Sequence, residues 1–306
     1  MLITYCIFII PLHCFDALVR FINEDQHATW FAENNQFSNW TLNDITQILM
    51  QTPLDGLATP FKQNDSLPAE FNAKQKWPSS IHPVRNQNNC GSCWAFALTG
   101  MMSDRFDILG CSKGVLSPQD LVSCDTLDKG CNGGKFTTSL QWSISHGITT
   151  ENCLPYTSGG GVAQSCPSTC SNHTSIVRYK GTSYRHLNGN EIESAIFERG
   201  PIEVGIAVYF DFMFYRRGVY KHLVPLLLGY HAIRCIGWGV DAKYDQPYWL
   251  CMNSWGSHWG DEGMFKIVRG TNECKLESNA YELIVNCGKH KMNGIRIVQS
   301  TDYSDM

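Results

Sequence analysis

The tightest constraint in this 306-residue sequence is the stretch Gln87-Asn88-Asn89-Cys90-Gly91-Ser92-Cys93-Trp94-Ala95-Phe96. Gly91 and Ser92 make a small-residue turn that presents Cys93 where a helical pattern begins. Ala95, Leu98, Met102 and Phe106 then recur at three- and four-residue steps, the spacing of one buried helix face. A thiol at a helix N-terminus lies near partial positive charge, which favours the thiolate. The thiolate is the nucleophile, so the arrangement suits covalent catalysis. A half-cystine beside a core tryptophan is the ordinary reading of a secreted cysteine, and the rest of the chain must decide between the two.

The chain is long enough for a processed precursor and a two-lobed core. A net charge of −4 without a basic run leaves nucleic-acid binding no electrostatic footprint. Fourteen cysteines suit an oxidising compartment. The apolar run Leu2 to Ile10 is too short to span a bilayer and reads as a signal-peptide core, with cleavage placed near Ala17. The expected division is residues 1–17 signal peptide, 18–66 propeptide and 67–306 mature domain, in a secreted or lysosome-like vesicular protein with no membrane span.

From Leu18 to Ser66 cysteine is absent, and Thr41-Leu42-Asn43-Asp44 opens a short helix with Leu42, Ile45, Ile48 and Leu49 on one side. Ser117-Pro118 starts another helix, and Phe136 to His146 forms one stopped by Gly147. A helix capped by Asn188 or Asn190 ends at Gly200-Pro201. Beyond it strands dominate: Ile202, Val204, Ile206 and Val208 alternate with other residues, and His231–Gly237, Tyr248–Asn253 and Met264–Val268 follow. Helices first and strands second imply an α+β protein of two lobes, with a site in the cleft between them.

His231 stands at the mouth of an apolar strand, where an imidazole can take the thiol proton and later protonate a leaving amine. Taken alone, a part-buried histidine is usually structural. The Asn253 carbonyl oxygen can accept the imidazole N–H and fix its tautomer without a buried charge, with Trp255 lying over that bond. Gln87, six residues before Cys93, offers an amide donor that with the Cys93 backbone N–H would form an oxyanion hole, roughly 3–4 kcal/mol per donor. Cys131-Asn132-Gly133-Gly134 offers unhindered backbone for an extended peptide.

Cys90-Gly91-Ser92-Cys93-Trp94 matches at every position the C-G-[SA]-C-[WY] signature of papain-like cysteine proteases. His231 lies 231 − 93 = 138 residues on, within the family's separation of about 130–150, and Asn253, at 253 − 93 = 160, runs slightly long. The chain resembles in particular the cathepsin B branch. Ser103-Asp104-Arg105, Gly200-Pro201-Ile202-Glu203, Gly218-Val219-Tyr220, His231-Ala232-Ile233-Arg234, Arg269-Gly270 and Thr29-Trp30-x-Ala32 carry that likeness. The resemblance implies a papain-like two-lobed fold, with a helical left lobe, a β-barrel-like right lobe and an inhibitory propeptide. It makes Cys93 the nucleophile, His231 the base, Asn253 the orienter and Gln87 the oxyanion donor. Gly133 and Gly134 become substrate-backbone contacts and Trp255 the shield of the dyad, with a thiol pKa of about 3–4. Substrates are proteins and peptides; no cofactor or metal is expected, and the enzyme is expected to act as a monomer.

Two departures concern specificity. Cathepsin B carries a long occluding loop with adjacent histidines that bind a peptide's terminal carboxylate. Here Tyr156 to Cys166 is short and contains no histidine, which implies an endopeptidase with little carboxydipeptidase activity. Asn279 stands where cathepsin B has the S2 glutamate, which implies a preference for apolar P2. The resemblance also implies the disulfides Cys90–Cys131, Cys124–Cys166 and Cys153–Cys170. It assigns no partner to Cys111, Cys235, Cys251, Cys274 or Cys287, and puts Ser80 and Asp107 where one further bridge would be. Sequons stand at Asn39, Asn64 and Asn172. The alternative reading is a catalytically silent papain-fold binding protein, which the presence of both Cys93 and His231 disfavours.

Overall fold

A computed structural model of the chain describes residues 13–54, 56, 61, 64 and 66–288. The signal-peptide run lies outside these residues, as does the tail after Gly288. The first helix, α1 (His13–Glu24), packs Phe15 5.3 Å from Phe214 and buries Ile22, so the expected boundary at residue 17 falls inside it. Strand β1 (Trp30–Ala32) follows, then α2 (Leu42–Gln47). Thr41 and Asp44 cap α2 reciprocally, and Ile45, Ile48 and Leu49 are buried.

After β2 (Phe71–Asn72) and α3 (Ala73–Lys76) comes α4 (Cys93–Ile108), which begins directly after the Gly91-Ser92 turn. One buried face was expected, but every residue from Cys93 to Phe106 except Gly100 is buried. The helix is enclosed by α5 (Pro118–Cys124), α6 (Phe136–Ser145) and the sheet. Its polar residues are therefore paired internally: Thr99 Oγ1 donates to the Ala95 carbonyl at 2.7 Å and Ser103 Oγ to that of Thr99 at 2.6 Å. Ser117 caps α5 with Pro118 at its first turn, and Gly147, at φ 83°, ends α6 as only glycine does without strain.

The second half supplies β3 (Gly181–Leu187), α7 (Gly189–Arg199, capped by Asn188), β4 (Ile202–Tyr209), β5 (Tyr215–Tyr220), β6 (Leu227–Asp241), β7 (Gln246–Met252), β8 (Met264–Val268) and β9 (Ala280–Val285). They join in the order β1-β5-β8-β7-β6-β4-β9-β3, with β2 added against β6. The alternation expected for β4 does not hold in burial: Ile202 to Val208 are all buried. This strand lies between β6 and β9 and also packs against α4, so both of its faces are covered.

Buried ion pairs fasten the helices to the sheet. Arg234 of β6 pairs with Asp104 of α4, and Arg105 donates to Glu282 at 3.1 Å and to the Pro201 and Leu283 carbonyls. The three disulfides implied by the sequence are present, with a fourth, Cys111–Cys287, that spans 176 residues. Among the described residues Cys93, Cys235, Cys251 and Cys274 are free, and all are buried. Asp107, where half of a missing bridge would be, pairs with His82 at 3.1 Å.

Candidate active site

Cys93 is the first residue of α4, and its sulfur is approached by the backbone N–H groups of Trp94, of Cys93 itself and of Ala232. Ala232 follows His231 on β6, so the helix start meets this strand next to the histidine. Gly91 makes the tight turn possible: a Cβ there would lie 2.5 Å from the Cys131 carbonyl oxygen. Ser92 gives α4 no side-chain cap; its hydroxyl instead meets the Tyr156 hydroxyl at 2.9 Å.

The His231 imidazole is buried, with Nε2 2.6 Å from Asn253 Oδ1. The Ser254 backbone N–H donates to that same Asn253 atom at 2.7 Å, which requires it to be the oxygen. Nε2 must then carry the ring proton, and Nδ1 keeps a lone pair. Nδ1 is buried and has no hydrogen-bond partner. The Trp255 ring lies 4.6 Å from the imidazole.

Gln87 is fully buried and held on both sides. Its Oε1 accepts from Ser254 Oγ at 2.7 Å, its backbone N–H donates to the Ser254 carbonyl, and its own carbonyl accepts from Tyr156 Oη at 2.9 Å. Nε2 donates to the carbonyls of Cys90 and Ile48, both at 2.9 Å. Ile48 belongs to the N-terminal segment, which runs through the crevice. Met50 pairs with Tyr230 by two backbone bonds and joins the core cluster containing Cys93 and Ala232. Leu54 packs beside Gly134, Phe136 and Tyr281, and the Gly56 N–H donates to Asn279 Oδ1 at 3.0 Å.

The two glycines differ. A side chain at Gly133, where φ is 96°, would point toward Met50, so this backbone faces the crevice. A Cβ at Gly134 would lie 2.5 Å from the Trp94 ring. Gly134→Ala is therefore expected to cost about 1–3 kcal/mol by overpacking. Gly160, whose Cβ would meet nothing within 4 Å, serves as the control, and urea midpoints compare the two alanine variants.

Cys93 and His231 are both fully buried. Burial pushes the Cys93 thiol up to about 12, against the backbone donors that favour the thiolate. Burial also pushes His231 down to about 4, against the Asn253 bond. Burial thus acts on both groups against the ion pair that the resemblance implies.

Sequence reasoning singled out Gln87 and Asn253 but not the groups that hold them. Ser254 bonds both, and Tyr156 links Gln87 to the Ser92 turn. The adjacency Asn253-Ser254 was a usable signal. Tyr156 carried none, because its contacts cross 64 and 69 residues.

The papain family cysteine protease profile matches residues 67–284. Cathepsin B-like cysteine proteinase 3 of Caenorhabditis elegans is 35% identical over 312 residues, covering 89% of this chain and 83% of that protein. Cathepsin B-like CP2 of Giardia intestinalis is 36% identical over 260 residues, 80% and 86% of the two chains. Among solved structures, procathepsin B S9 from Trypanosoma congolense superposes with a TM-score of 0.79 at 26% identity, covering 88% of this chain and 97% of its own. The chain therefore belongs to the papain family of cysteine proteases and, within it, to the cathepsin B-like group.

Proposed function

We propose that the protein is an endopeptidase synthesised as a zymogen, with Cys93 as nucleophile and His231 as base. The observation that carries this reading is the Ile48 carbonyl, a peptide C=O held by Gln87 Nε2 at the start of the Cys93 helix. A substrate carbonyl in that position would feel the same donor. The Cys93 proton passes to His231 Nδ1, and sulfur bonds to the carbonyl carbon. The oxyanion is met by Gln87 and the Cys93 N–H. Collapse breaks the C–N bond as Nδ1 returns its proton to the amine. Water, deprotonated by the same nitrogen, then releases the acyl group and restores the thiol.

The segment N-terminal to residue 67 acts as the inhibitor, since it occupies the crevice from Ile48 to Gly56. Endopeptidase action is favoured by the short loop after Tyr156, which is drawn back onto the body. The Asn89 N–H donates to the Gly159 carbonyl at 3.0 Å, Gln119 Oε1 accepts from Thr157 and Ser158, and Cys166 is bonded to Cys124. Asn279, neutral and already bonded to Lys275 and Ser278, leaves a cationic P2 side chain without a charge partner, a penalty of about 2–5 kcal/mol if desolvated. Four disulfides suit secretion or a lysosome-like vesicle. Among the described residues no helix is long and apolar enough to cross a membrane.

Peptides test both refinements. Amidating the C-terminus is expected to leave cleavage unchanged within about threefold, and a Phe-Arg substrate to be cleaved at least about tenfold faster than Arg-Arg. Strong dependence on a free carboxylate, or preference for Arg-Arg, would overturn them.

A further inference from the structure

Outside the crevice, the turn after β5 and the turn before β9 bring three metal-ligating side chains together. Nδ1 of His222, a carboxylate oxygen of Glu273 and Sγ of Cys274 all lie within 4.8 Å of one another. Nδ1 is 2.6 Å from Glu273 Oε1, and the thiol is 3.4 Å from that same oxygen. We propose that His222, Glu273 and Cys274 bind one divalent cation of the zinc type, with its fourth position open to solvent.

The donor set selects the ion. Imidazole, thiolate and carboxylate together suit zinc, whereas calcium and magnesium take oxygen donors. Binding releases the thiol proton and leaves the imidazole proton on Nε2, so that Nδ1, sulfur and one carboxylate oxygen each donate a lone pair.

Surrounding groups hold the ligands in place. The Tyr209 ring stacks on His222 at 4.1 Å and fixes the ring plane, and the His222 N–H donates to Glu273 Oε1 at 3.0 Å. Asp211 accepts from Tyr220 Oη and from the N–H groups of Leu223 and Val224, pinning the chain on both sides of His222. An entry path exists: the His222 side chain is 34% exposed, while that of Glu273 is 8% exposed. The site also borders the substrate pocket, because Asn279 Nδ2 donates to the Lys275 carbonyl, one residue past Cys274. No spacing rule points to it, since His222 and Glu273 lie 51 residues apart and fit no ligand-spacing motif.

Cobalt(II) titration of the full chain carrying Cys93→Ala, at neutral pH without oxygen, tests the proposal. The substitution removes the crevice thiol as a competing ligand. One equivalent is expected to bind with thiolate-to-cobalt charge-transfer absorption, and zinc is expected to displace it. Cys274→Ser should abolish that absorption, and His222→Ala should weaken binding by at least the about 10–100-fold that follows loss of an outer-shell partner. If Cys274→Ser does not fold, His222→Ala decides, because its side chain lies partly in solvent. No charge-transfer absorption at tenfold excess cobalt would overturn the proposal and leave a His–Glu ion pair beside an inert thiol. Absorption that persists in Cys274→Ser, or affinity unchanged in His222→Ala, would overturn it equally.

Discussion

Cys93→Ala and His231→Ala in the released enzyme are each expected to lower kcat by about 10⁶, or about 8 kcal/mol, and the double variant by no more than either alone. The reason is geometric. The crevice offers one sulfur at the start of α4 and one imidazole whose Nε2 proton is committed to Asn253, so Nδ1 has no other use. Without the base the thiol stays protonated, and without the sulfur the base has nothing to activate. The two therefore act as a unit. Rates normalised to folded protein, with circular dichroism as the check on folding, decide the matter. Additive losses, or retention of activity within tenfold, would contradict it.

The second large effect concerns the join between the lobes. Arg234 lies three residues after His231 on β6, and Asp104 eleven after Cys93 on α4, so their ion pair ties the strand that carries His231 to the helix that carries Cys93. Both are buried. Arg234→Leu strands the Asp104 carboxylate and is expected to cost about 3–5 kcal/mol, whereas the double variant Asp104→Leu with Arg234→Leu should recover most of that. Burial pushes Asp104 up to about 6 even with Arg234 opposite and the His82 N–H donating to it. A carboxyl raised above its unfolded value contributes most stability below that value, about 4, and loses it as pH rises through about 6. The deficit of Arg234→Leu should accordingly be smaller at pH 5 than at pH 8. Urea midpoints at both values, measured beside the parent chain, read the difference; an equal deficit would contradict it.

Local features were legible where short-range chemistry determines them. The Thr41–Asp44 cap, the Ser117-Pro118 start and the Gly147 stop lie where the residues indicated, and the three disulfides lie where the family resemblance put them. What periodicity missed depends on enclosure. The α4 helix reads as amphipathic yet is buried on nearly every side, because its polar residues bond one another and distant partners. The alternation of β4 is real in the sequence, but a second layer covers its polar face, including Glu203. The Cys111–Cys287 bridge spans 176 residues, a separation no local rule connects.

The covered crevice also changes how the dyad should be measured. With Ile48 and Met50 in place burial is expected to hold the pair as a thiol and a neutral imidazole; once uncovered, the same single proton is expected to move from sulfur to nitrogen. Uncovering is then an internal transfer with no net proton uptake between about pH 4 and 8. The most direct test follows iodoacetamide alkylation of Cys93 against pH, located by peptide mapping, before and after removal of the segment preceding residue 67. Removal should raise the rate at least about a hundredfold and leave a reactive thiolate down to about pH 4. An unchanged rate, or a single inflection near the free-thiol value of about 8.5, would contradict the account.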